Sequence, residues 1–218
     1  MSYEKKNVPL IVVKRLPRYY RYLSDLLKQG TTRISSGELS KKMGVTASQI
    51  RQDFNYFGGF GQQGYGYNVS RLHDEIADIL GLKKGYKTII IGAGHLGHAL
   101  ANHANFKKRG FSLVGIFDNN PYAIGRTVAD IEVMDIANLE SFMKKEKPEI
   151  AILSLPKKAV RDVALEVCRL GIKGIWNFSY WDPDISIDVP LENVHLSDSL
   201  MTLSYNIAKN EQNKSDNK

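Results

Sequence analysis

The feature that most constrains the fold of this chain is a glycine-rich turn placed between an apolar run and a helical pattern. Gly92, Gly94 and Gly97 follow the apolar run 88–91 and open a helical pattern at 96–104. A strand, a tight turn and a helix in this order form the first crossover of a parallel sheet that binds dinucleotides. The turn, the approach of the backbone to a pyrophosphate and the close packing of the helix each require a missing side chain.

The glycine spacing alone is not specific in this chain, because Gly59, Gly61 and Gly64 show it as well. That earlier match follows a helical pattern and runs into alternating glycine and aromatic residues, which are typical of a hairpin. Only the match that begins at Gly92 has a strand before it and a helix after it. The context therefore assigns the dinucleotide site to the later match.

A carboxylate at the end of the next strand indicates which dinucleotide is preferred. Residues 111–117 form a second apolar run, and Asp118 lies 118 − 97 = 21 residues after Gly97. A carboxylate at this spacing accepts a hydrogen bond from a ribose 2′-hydroxyl and repels a 2′-phosphate, which predicts NAD(H) in preference to NADP(H). The alternative is that Asp118 only begins the loop at Asn119.

The remainder of the C-terminal part alternates strand and helix patterns, at 149–155, 159–170 and 172–178, with a last strand at 194–196. This alternation predicts an α/β fold with a doubly wound parallel sheet, whose ligands lie at the carboxyl ends of the strands. The breaks after two of these strands would line the same cleft as the glycine turn. The predicted cofactor-binding residues are Gly92, Ala93, Gly94, His95, Leu96, Gly97, Asp118, Asn119, Leu155, Pro156, Asn177 and Phe178.

Net charge divides the chain into two parts with different expected partners. The 218 residues, 43% of them apolar, suffice for two modest domains. Residues 1–84 carry 14 Lys and Arg against 7 Asp and Glu, whereas residues 85–218 carry 16 of each, so the whole excess of +7 lies in the first part. A basic domain favours a polyanion as its partner, and a solvated basic surface without a partner is the alternative.

The composition disfavours several other classes of protein. No apolar run approaches the ~18 residues of a membrane span, and the start MSYEKKN lacks the apolar core of a signal peptide, so we expect a cytoplasmic protein. The single cysteine, Cys168, lies in a helical apolar pattern, cannot form an intrachain disulfide and falls short of a zinc site. We therefore expect no bound metal.

The N-terminal part carries the signals of a helix-turn-helix. A first helix is predicted at 16–30, with a proline near its start. Ser35 with Glu38 forms a capping box for a short second helix, and Thr46 with Gln49 repeats the box for a third helix after a tight glycine turn. Two short helices joined in this way are typical of DNA-binding proteins.

The third helix is predicted to present a polar face to DNA. If Ile50, Phe54 and Phe57 face the core, the opposite face carries side chains suited to base edges and phosphates. The alternative is a small helical bundle whose polar face is merely solvated. The predicted DNA-binding residues of the helix-turn-helix are Ser35, Thr46, Ala47, Ser48, Gln49, Arg51, Gln52, Asn55 and Tyr56.

The segment after the third helix is predicted to form a β-hairpin wing. Residues 58–68 read GGFGQQGYGYN and alternate glycine with aromatic residues that a hairpin can pack. Gln62 and Gln63 would lie at its tip, where the wing of a winged helix contacts phosphates or a minor groove. A linker helix at 70–82 would join the wing to the second domain.

Six motifs, distributed over nearly the whole chain, occur together with this order of elements. They are KRLPRYYRYL (14–23), ASQIRQDFNYFG (47–58), GYGYNV (64–69), GAGHLG (92–97), GIFDNNP (115–121) and GIKGIWNF (171–178). In these motifs and in the order of its elements, the chain resembles the Rex family of redox-sensing transcriptional repressors. The resemblance implies a homodimer with exchanged C-terminal helices that binds a palindromic operator when NAD+ prevails and releases it when NADH binds.

The predicted plan has a winged-helix domain with its linker helix at 1–84, a Rossmann NAD(H)-binding domain at 85–196, an exchanged dimerisation helix at 197–210 and a disordered tail at 211–218. No enzymatic activity is expected, because the plan leaves little chain for a substrate domain. A dehydrogenase is the alternative, with Tyr205 and Lys209 as a Y-x-x-x-K pair. The second alternative is a DNA-binding protein whose Rossmann domain no longer binds a ligand.

Two departures from the family pattern bear on the redox response. Gln62 and Gln63 stand where the family often carries basic residues. The family's polar switch pairs an arginine with a tyrosine and an aspartate, and the matching positions here are Arg15, His103 and His195. The hypothesis is that an imidazole at His195 weakens or reverses the discrimination between NADH and NAD+, because it cannot attract a guanidinium as a carboxylate does. The alternative is that His195 only packs at the dimer interface.

Overall fold

The computed structural model describes residues 8–58, 61–62, 65–103, 105–183 and 186–216. The chain divides into two compact units, and the boundary falls between Lys84 and Gly85. Each unit has its own hydrophobic core, which is one cluster in the first unit and two clusters on the two faces of a sheet in the second. Within the described residues, none of the helices combines the length and the apolar character needed to cross a membrane.

The first unit is a set of helices packed on a small antiparallel sheet, in the order α1 (Leu10–Lys28), β1 (Arg33–Ile34), α2 (Ser36–Met43), α3 (Ala47–Asn55), β2 (Gly61–Gln62), β3 (Gly66–Asn68) and α4 (Val69–Ile79). The strands lie in the order β1-β3-β2. Tyr19, Ile50, Phe54 and Leu72 are at most 1% exposed and join the helices in one core. The predicted winged helix-turn-helix is confirmed, and β1 is an addition, since two residues carry no readable pattern.

The helix starts follow the predicted caps in one case and differ in the other. The Ser35 hydroxyl accepts from the Glu38 N–H at 3.1 Å and the Glu38 carboxylate accepts from the Ser35 N–H at 2.8 Å, which completes the capping box. Thr46 accepts from the Gln49 N–H at 3.1 Å. The Gln49 amide, however, donates to Asp53. The second box is therefore a simple Thr cap, because the Gln49 side chain is directed to Asp53 and not back to the Thr46 N–H.

Two helix ends in the first unit differ from the prediction. α1 begins at Leu10 and not at 16, so Pro17 lies inside the helix. The reason is that Pro9 starts the helix and Val12 extends the buried stripe by one turn. α4 stops at Ile79 and does not reach 82, because Gly81 follows in the left-handed region at φ +70°.

The second unit is an α/β domain whose sheet has the strand order β10-β9-β8-β4-β5-β7-β6. All its strands are parallel except β6, which pairs antiparallel with β7. The order reverses at β4, so the carboxyl ends of β8, β4 and β5 meet at a topological switch point. The elements are β4 (Tyr86–Ile91), α5 (His95–Ala101), α6 (Asn105–Lys108), β5 (Phe111–Asp118), β6 (Thr127–Val128), β7 (Ile131–Asp135), α7 (Leu139–Glu146), β8 (Ile150–Leu153), α8 (Lys157–Arg169), β9 (Gly174–Asn177), β10 (Leu191–Asn193) and α9 (Leu196–Asp216).

The two faces of this sheet are read directly from the central strand. Ile89 and Ile91 join the cluster that contains α7 and α8, whereas Ile90 joins the cluster on the α5 side. The alternation follows from the two-residue period of a strand that is buried on both faces. The predicted doubly wound parallel sheet is therefore confirmed.

The last strand and the terminal helix lie at other positions than predicted. β10 ends at Asn193 and not in 194–196, because its partner β9 ends at Asn177 and the ladder stops there. α9 continues to Asp216, beyond the predicted end at 210 and through most of the stretch 211–218 that was expected to be disordered. The chain has no glycine or proline after Leu196, and its last residues include good helix formers.

Two further differences concern the middle of the second unit. α5 ends at Ala101, and Ala104, the predicted end of that helix, lies outside the described residues. β6, β7 and α7 lie in 119–148, for which the sequence predicted no element. The short strands and the eight-residue helix show too little periodicity for sequence patterns to identify.

Candidate dinucleotide site and DNA-binding surface

Two of the three glycines of the turn are required by the packing of the protein itself. Gly92 has φ +103°, and a side chain there would collide with the backbone of Ser154. A side chain at Gly97 would collide with the carbonyl of Gly92. These contacts confirm the turn and the close helix packing that the pattern predicts.

Gly94 differs from the other two, because nothing within the protein requires a glycine there. Its φ of −72° is open to any residue, and a Cβ atom would have no heavy atom within 4 Å. Gly94 is exposed and immediately precedes α5, which no side chain caps. The free space next to its backbone fits the approach of a ligand.

Asp118 fixes the glycine turn. Its Oδ2 atom accepts from the Ala93 N–H at 2.6 Å, and its Oδ1 atom accepts from the Asn120 N–H at 2.8 Å. A carboxylate oxygen has two lone pairs, so each oxygen can still accept one hydrogen bond from a ligand. The structure thus adds a role for Asp118 in shaping the loop to the ribose contact that the sequence predicts.

Two serines join the loops at the carboxyl ends of neighbouring strands. The Ser154 hydroxyl donates to the Gly92 carbonyl at 2.8 Å, and the Ser179 hydroxyl accepts from the Leu155 N–H at 2.9 Å. The loops after β4, β8 and β9 therefore form one connected edge. Both serines belong to the two strand-end breaks, 154–156 and 177–179, that the sequence predicts to line the cleft.

The predicted cofactor residues after β8 and β9 differ in accessibility. Leu155 and Phe178 are half-buried and Pro156 is exposed, whereas Asn177 is buried. The Asn177 amide donates to the carbonyls of Ser179 and Trp181 and to the side chain of Asn193, and its oxygen accepts from the Ser179 N–H. Asn177 therefore shapes the loop, and its side chain is not free for a ligand. His95 and Asn119 are exposed and Leu96 is half-buried.

A separate cavity lies at the other end of the sheet. It has a volume of about 480 Å³ and an apolar lining, and it opens near the amino ends of the strands, opposite the glycine turn. Phe106, Phe111, Ile150, Trp176 and Leu191 are among its lining residues. Its position shows that it is not the dinucleotide cleft predicted from the sequence.

The polar face of α3 is turned outward, as predicted. Ile50, Phe54 and Phe57 are buried, at 0%, 1% and 7% exposure. The remaining predicted residues divide by accessibility: Ser35, Thr46, Ser48, Arg51, Gln52 and Asn55 are exposed, Ala47 and Gln49 are half-buried, and Tyr56 is half-buried against the core. Arg51 donates to the Ser36 hydroxyl at 3.1 Å, which extends its side chain toward α2.

The wing carries a cation that sequence reasoning missed. Gln63 and the side chain of Gln62 lie outside the described residues. At the base of the wing, the Arg33 guanidinium donates to the Tyr65 carbonyl at 3.1 Å and lies 5.8 Å from the centroid of the Tyr65 ring. Both side chains are exposed. The pair places a positive charge on the hairpin surface.

A buried carboxylate lies under the polar face of α3. Asp53 is 0% exposed and accepts two hydrogen bonds from Arg15, at 2.6 and 2.7 Å, one from the Tyr19 hydroxyl at 2.8 Å and one from the Gln49 amide at 3.0 Å. Burial raises the pKa of the Asp53 carboxyl, but these hydrogen bonds together bring the pKa below its ordinary value. The signal for this cluster is an acidic residue at a core position between Ile50 and Phe54.

The three predicted switch residues have separate partners within the described chain. Arg15, in the first unit, is paired with Asp53. In the second unit, the His103 ring packs edge-on against Phe106, with the centroids 4.7 Å apart. His195 stacks on Tyr180, and its Nε2 atom lies 3.7 Å from an Asp182 carboxylate oxygen. A carboxylate therefore does lie beside His195.

No group of three or more His, Cys, Asp or Glu residues is placed to hold a metal ion in the described part of the chain. Cys168 is half-buried, and burial raises the pKa of its thiol. A thiol that is held protonated is a poor nucleophile.

Two family models match the two units separately. The model described as "Putative DNA-binding protein N-terminus" matches residues 7–55, and the model described as "CoA binding domain" matches residues 83–180. Among curated relatives, a redox-sensing transcriptional repressor Rex from Thermoanaerobacter pseudethanolicus is 57% identical over 95% of this chain and 93% of its own. The Rex repressor of Clostridium botulinum is 53% identical over 95% and 99%.

Solved structures of the repressor RSP share the whole architecture. RSP in complex with NADH matches with a TM-score of 0.88 and 53% identity over 97% of this chain and 99% of its own. RSP in complex with NAD+ and operator DNA matches with a TM-score of 0.88 and 56% identity over 97% of both chains. A third RSP structure is described as a Rex-family repressor. With relatives of this identity along nearly its full length, the chain belongs to the Rex family of redox-sensing transcriptional repressors.

Proposed function

We propose that this protein binds operator DNA as a homodimer and represses transcription, and that the bound form of NAD sets its affinity for DNA, with NADH favouring release. The observation that carries the proposal is the open backbone at Gly94, close in the fold to the Asp118 carboxylate, whose oxygens can each accept a further hydrogen bond. The first unit, which carries the excess positive charge, exposes the polar face of α3 to a polyanion. RSP, a relative of known structure, has been solved with NADH and with NAD+ and operator DNA.

The residues at the carboxyl ends of β8, β4 and β5 fit a dinucleotide that has no phosphate on its adenosine ribose. The backbone N–H groups at 94–96 would hold the pyrophosphate, and Asp118 would accept from the ribose hydroxyls. Phe178 and Leu155 would pack against the far end of the ligand. Both NADP(H) and coenzyme A carry a ribose phosphate that the Asp118 carboxylate repels, so both serve as negative controls.

Dimerisation through α9 is the second part of the proposal. Leu196, Leu200, Leu203 and Ile207 lie on one face of α9 at helical spacing and are 51–67% exposed. An apolar face of this kind is stable only when it is covered. We propose that a second copy of the chain covers it by exchange of α9, and the symmetry of such a dimer requires a palindromic operator.

A DNA-binding repressor acts where the chromosome is, which is the basis for expecting it in the cytoplasm. The alternative of a dehydrogenase needs a proton donor beside the dinucleotide. Tyr205 and Lys209 lie on the exposed α9 helix, on the side opposite its apolar face. Both side chains are exposed to solvent, whereas hydride transfer is favoured in a site that excludes water.

The proposal is tested by an electrophoretic mobility shift with operator fragments in the presence of NAD+, NADH, NADP+ or coenzyme A. The expected result is a shift that NADH reverses and that NAD+ leaves intact, with no effect of the two phosphorylated compounds. Turnover of NADH with small carbonyl substrates would favour the oxidoreductase instead. Absence of any dinucleotide binding in calorimetry would favour a DNA-binding protein without a ligand.

A further inference from the structure

The buried carboxylate of Asp53 breaks an otherwise apolar face of the recognition helix α3. Ile50 precedes it and Phe54 follows it, both at most 1% exposed. A buried carboxylate destabilises the folded protein unless all its lone pairs accept hydrogen bonds or it is paired with a cation. Asp53 does have a complete set, since each of its oxygens accepts two hydrogen bonds.

Three of these hydrogen bonds come from α1 and fix the carboxylate in one orientation. The Arg15 Nη2 atom donates to Oδ1, and the Arg15 Nε atom and the Tyr19 hydroxyl both donate to Oδ2. A two-pronged contact between a guanidinium and a carboxylate defines the plane of both groups. The second lone pair of Asp53 Oδ1 is thereby directed toward the preceding turn of α3, where Gln49 lies.

The amide of Gln49 can fill that position in only one of its two orientations. Its Nε2 atom donates to Asp53 Oδ1 at 3.0 Å. An ionised carboxylate accepts hydrogen bonds and donates none, so the flipped amide would set its oxygen against a negative oxygen. The second hydrogen on Nε2 and the carbonyl oxygen Oε1 are thus left together for a partner outside the protein.

Gln49 lies in the first turn of α3, at the end of a recognition helix that reaches base edges. An acceptor beside a donor matches the major-groove edge of adenine, where the N6 amino group donates and N7 accepts. Guanine offers two acceptors at the same edge and cannot satisfy Oε1. We propose that Asp53 is a positioning residue that fixes the Gln49 amide as a reader of adenine in the operator.

This proposal rests on the DNA-binding half of the proposed function, and the experiment separates the two. Random double-stranded DNA is selected on the full-length wild-type chain, on Gln49→Ala and on Asp53→Asn, and the bound sequences are compared. The wild type is expected to enrich palindromic sites with one fixed adenine in each half-site. Gln49→Ala should lose the preference at that position alone. Asp53→Asn should weaken the preference for adenine there, because an asparagine can accept or donate and no longer holds the Gln49 amide in one orientation.

Tyr19→Phe is the matched control, since it removes one hydrogen bond from the same carboxylate without involving Gln49. It should lower the thermal midpoint and leave the adenine preference unchanged. A role of Asp53 in stability alone would instead lower the affinity of Asp53→Asn for every sequence equally, and that result overturns the proposal.

A second measurement does not depend on the folding of Asp53→Asn. In the selected site, the fixed adenine is replaced by 7-deazaadenine, which lacks the N7 acceptor, or by purine, which lacks the N6 amino group. Each removes one of the two hydrogen bonds and should weaken wild-type binding toward the lower end of the roughly 5- to 150-fold range for loss of a two-point base contact, and neither should weaken Gln49→Ala further. Equal losses in both proteins, or no fixed adenine, refute the inference. No selected sequence at all refutes the proposed function as well.

Discussion

The contact between Arg15 and Asp53 gives the most direct test of what holds the recognition helix. Replacing Arg15 with methionine keeps the aliphatic stem and removes the guanidinium. Asp53 then remains 0% exposed with only the Tyr19 hydroxyl and the Gln49 amide as partners. Removal of one member of a buried ion pair costs about 3–5 kcal/mol, and the two retained hydrogen bonds place Arg15→Met near the lower end, about 3 kcal/mol.

The cost should depend on pH with a definite sign. The pKa of Asp53 is lowered in the folded protein, so the stability it contributes is present above its unfolded pKa, about 4, and is lost as the pH falls through the folded value. Without Arg15, burial becomes the dominant influence and raises the pKa of Asp53. The difference in unfolding free energy between wild type and Arg15→Met is therefore largest near neutrality. It begins to shrink as the pH falls through the raised pKa of Asp53 in the variant and shrinks further below about pH 4, where the wild type loses its stabilisation.

Thermal and urea unfolding can show whether the loss of stability in Arg15→Met is confined to the first unit. Both tryptophans, Trp176 and Trp181, lie in the second unit. Their fluorescence reports that unit, while far-ultraviolet circular dichroism reports both. For a domain of this size about 3 kcal/mol lowers the midpoint by roughly 12–24 °C. Arg18→Met, an exposed arginine on the same helix, is the control. A loss below about 1 kcal/mol, or a loss that does not diminish in acid, would refute the reasoning.

Three further outcomes are expected. Gly94→Ala should lower NADH affinity at least about tenfold in calorimetry without changing the unfolding midpoint, because the added Cβ atom has no protein heavy atom within 4 Å but occupies the space beside the turn; unchanged affinity would place the ligand elsewhere. Arg33→Ala should weaken binding to all DNA sequences alike and reduce the salt slope by about 1, whereas a sequence-dependent loss would contradict a phosphate contact. Glutamate at both Leu200 and Leu203 should yield monomers in sedimentation and abolish operator binding; a retained dimer would exclude α9 from the interface.

The sequence predicts those parts of the fold that carry strong periodicity or a required glycine. The capping box at Ser35, the strand at β4 and the turn at Gly92 all depend on residues a few positions apart. Two of the three partners of Asp53 lie 34 and 38 residues away on α1, and a local pattern cannot show them. The bond between Asp118 and Ala93 spans 25 residues and joins two loops that only the sheet order brings together. Contacts of this kind follow from topology, which sequence spacing does not contain.

Arg15 also sets a condition for any redox switch that acts through it. Its Nε and Nη2 atoms are both bound to Asp53, so a partner that draws the guanidinium away must offset two charge-assisted hydrogen bonds. A ligand shifts a conformational equilibrium only by its difference in affinity for the two states. A neutral imidazole offers no charge with which to compete for Arg15, whereas a carboxylate does. We therefore expect NADH to release the operator less completely from the wild type than from a variant with a carboxylate at position 195.

His195→Asp should restore the competitor and widen the ratio of the operator affinities measured with NAD+ and with NADH by about tenfold or more. The titrations are run at the same salt concentration, since phosphate contacts make every affinity depend on it. A wild-type ratio that is already large and does not change in His195→Asp would contradict this expectation. Asp182, whose carboxylate lies 3.7 Å from the His195 Nε2 atom, would then be the group that competes with Asp53 for Arg15. In that case Asp182→Asn should make the operator affinities with NAD+ and with NADH equal. His195→Asp and Asp182→Asn together decide between two cases. Either this chain has no carboxylate that competes for Arg15, or Asp182, thirteen positions before His195 (195 − 182 = 13), takes that role.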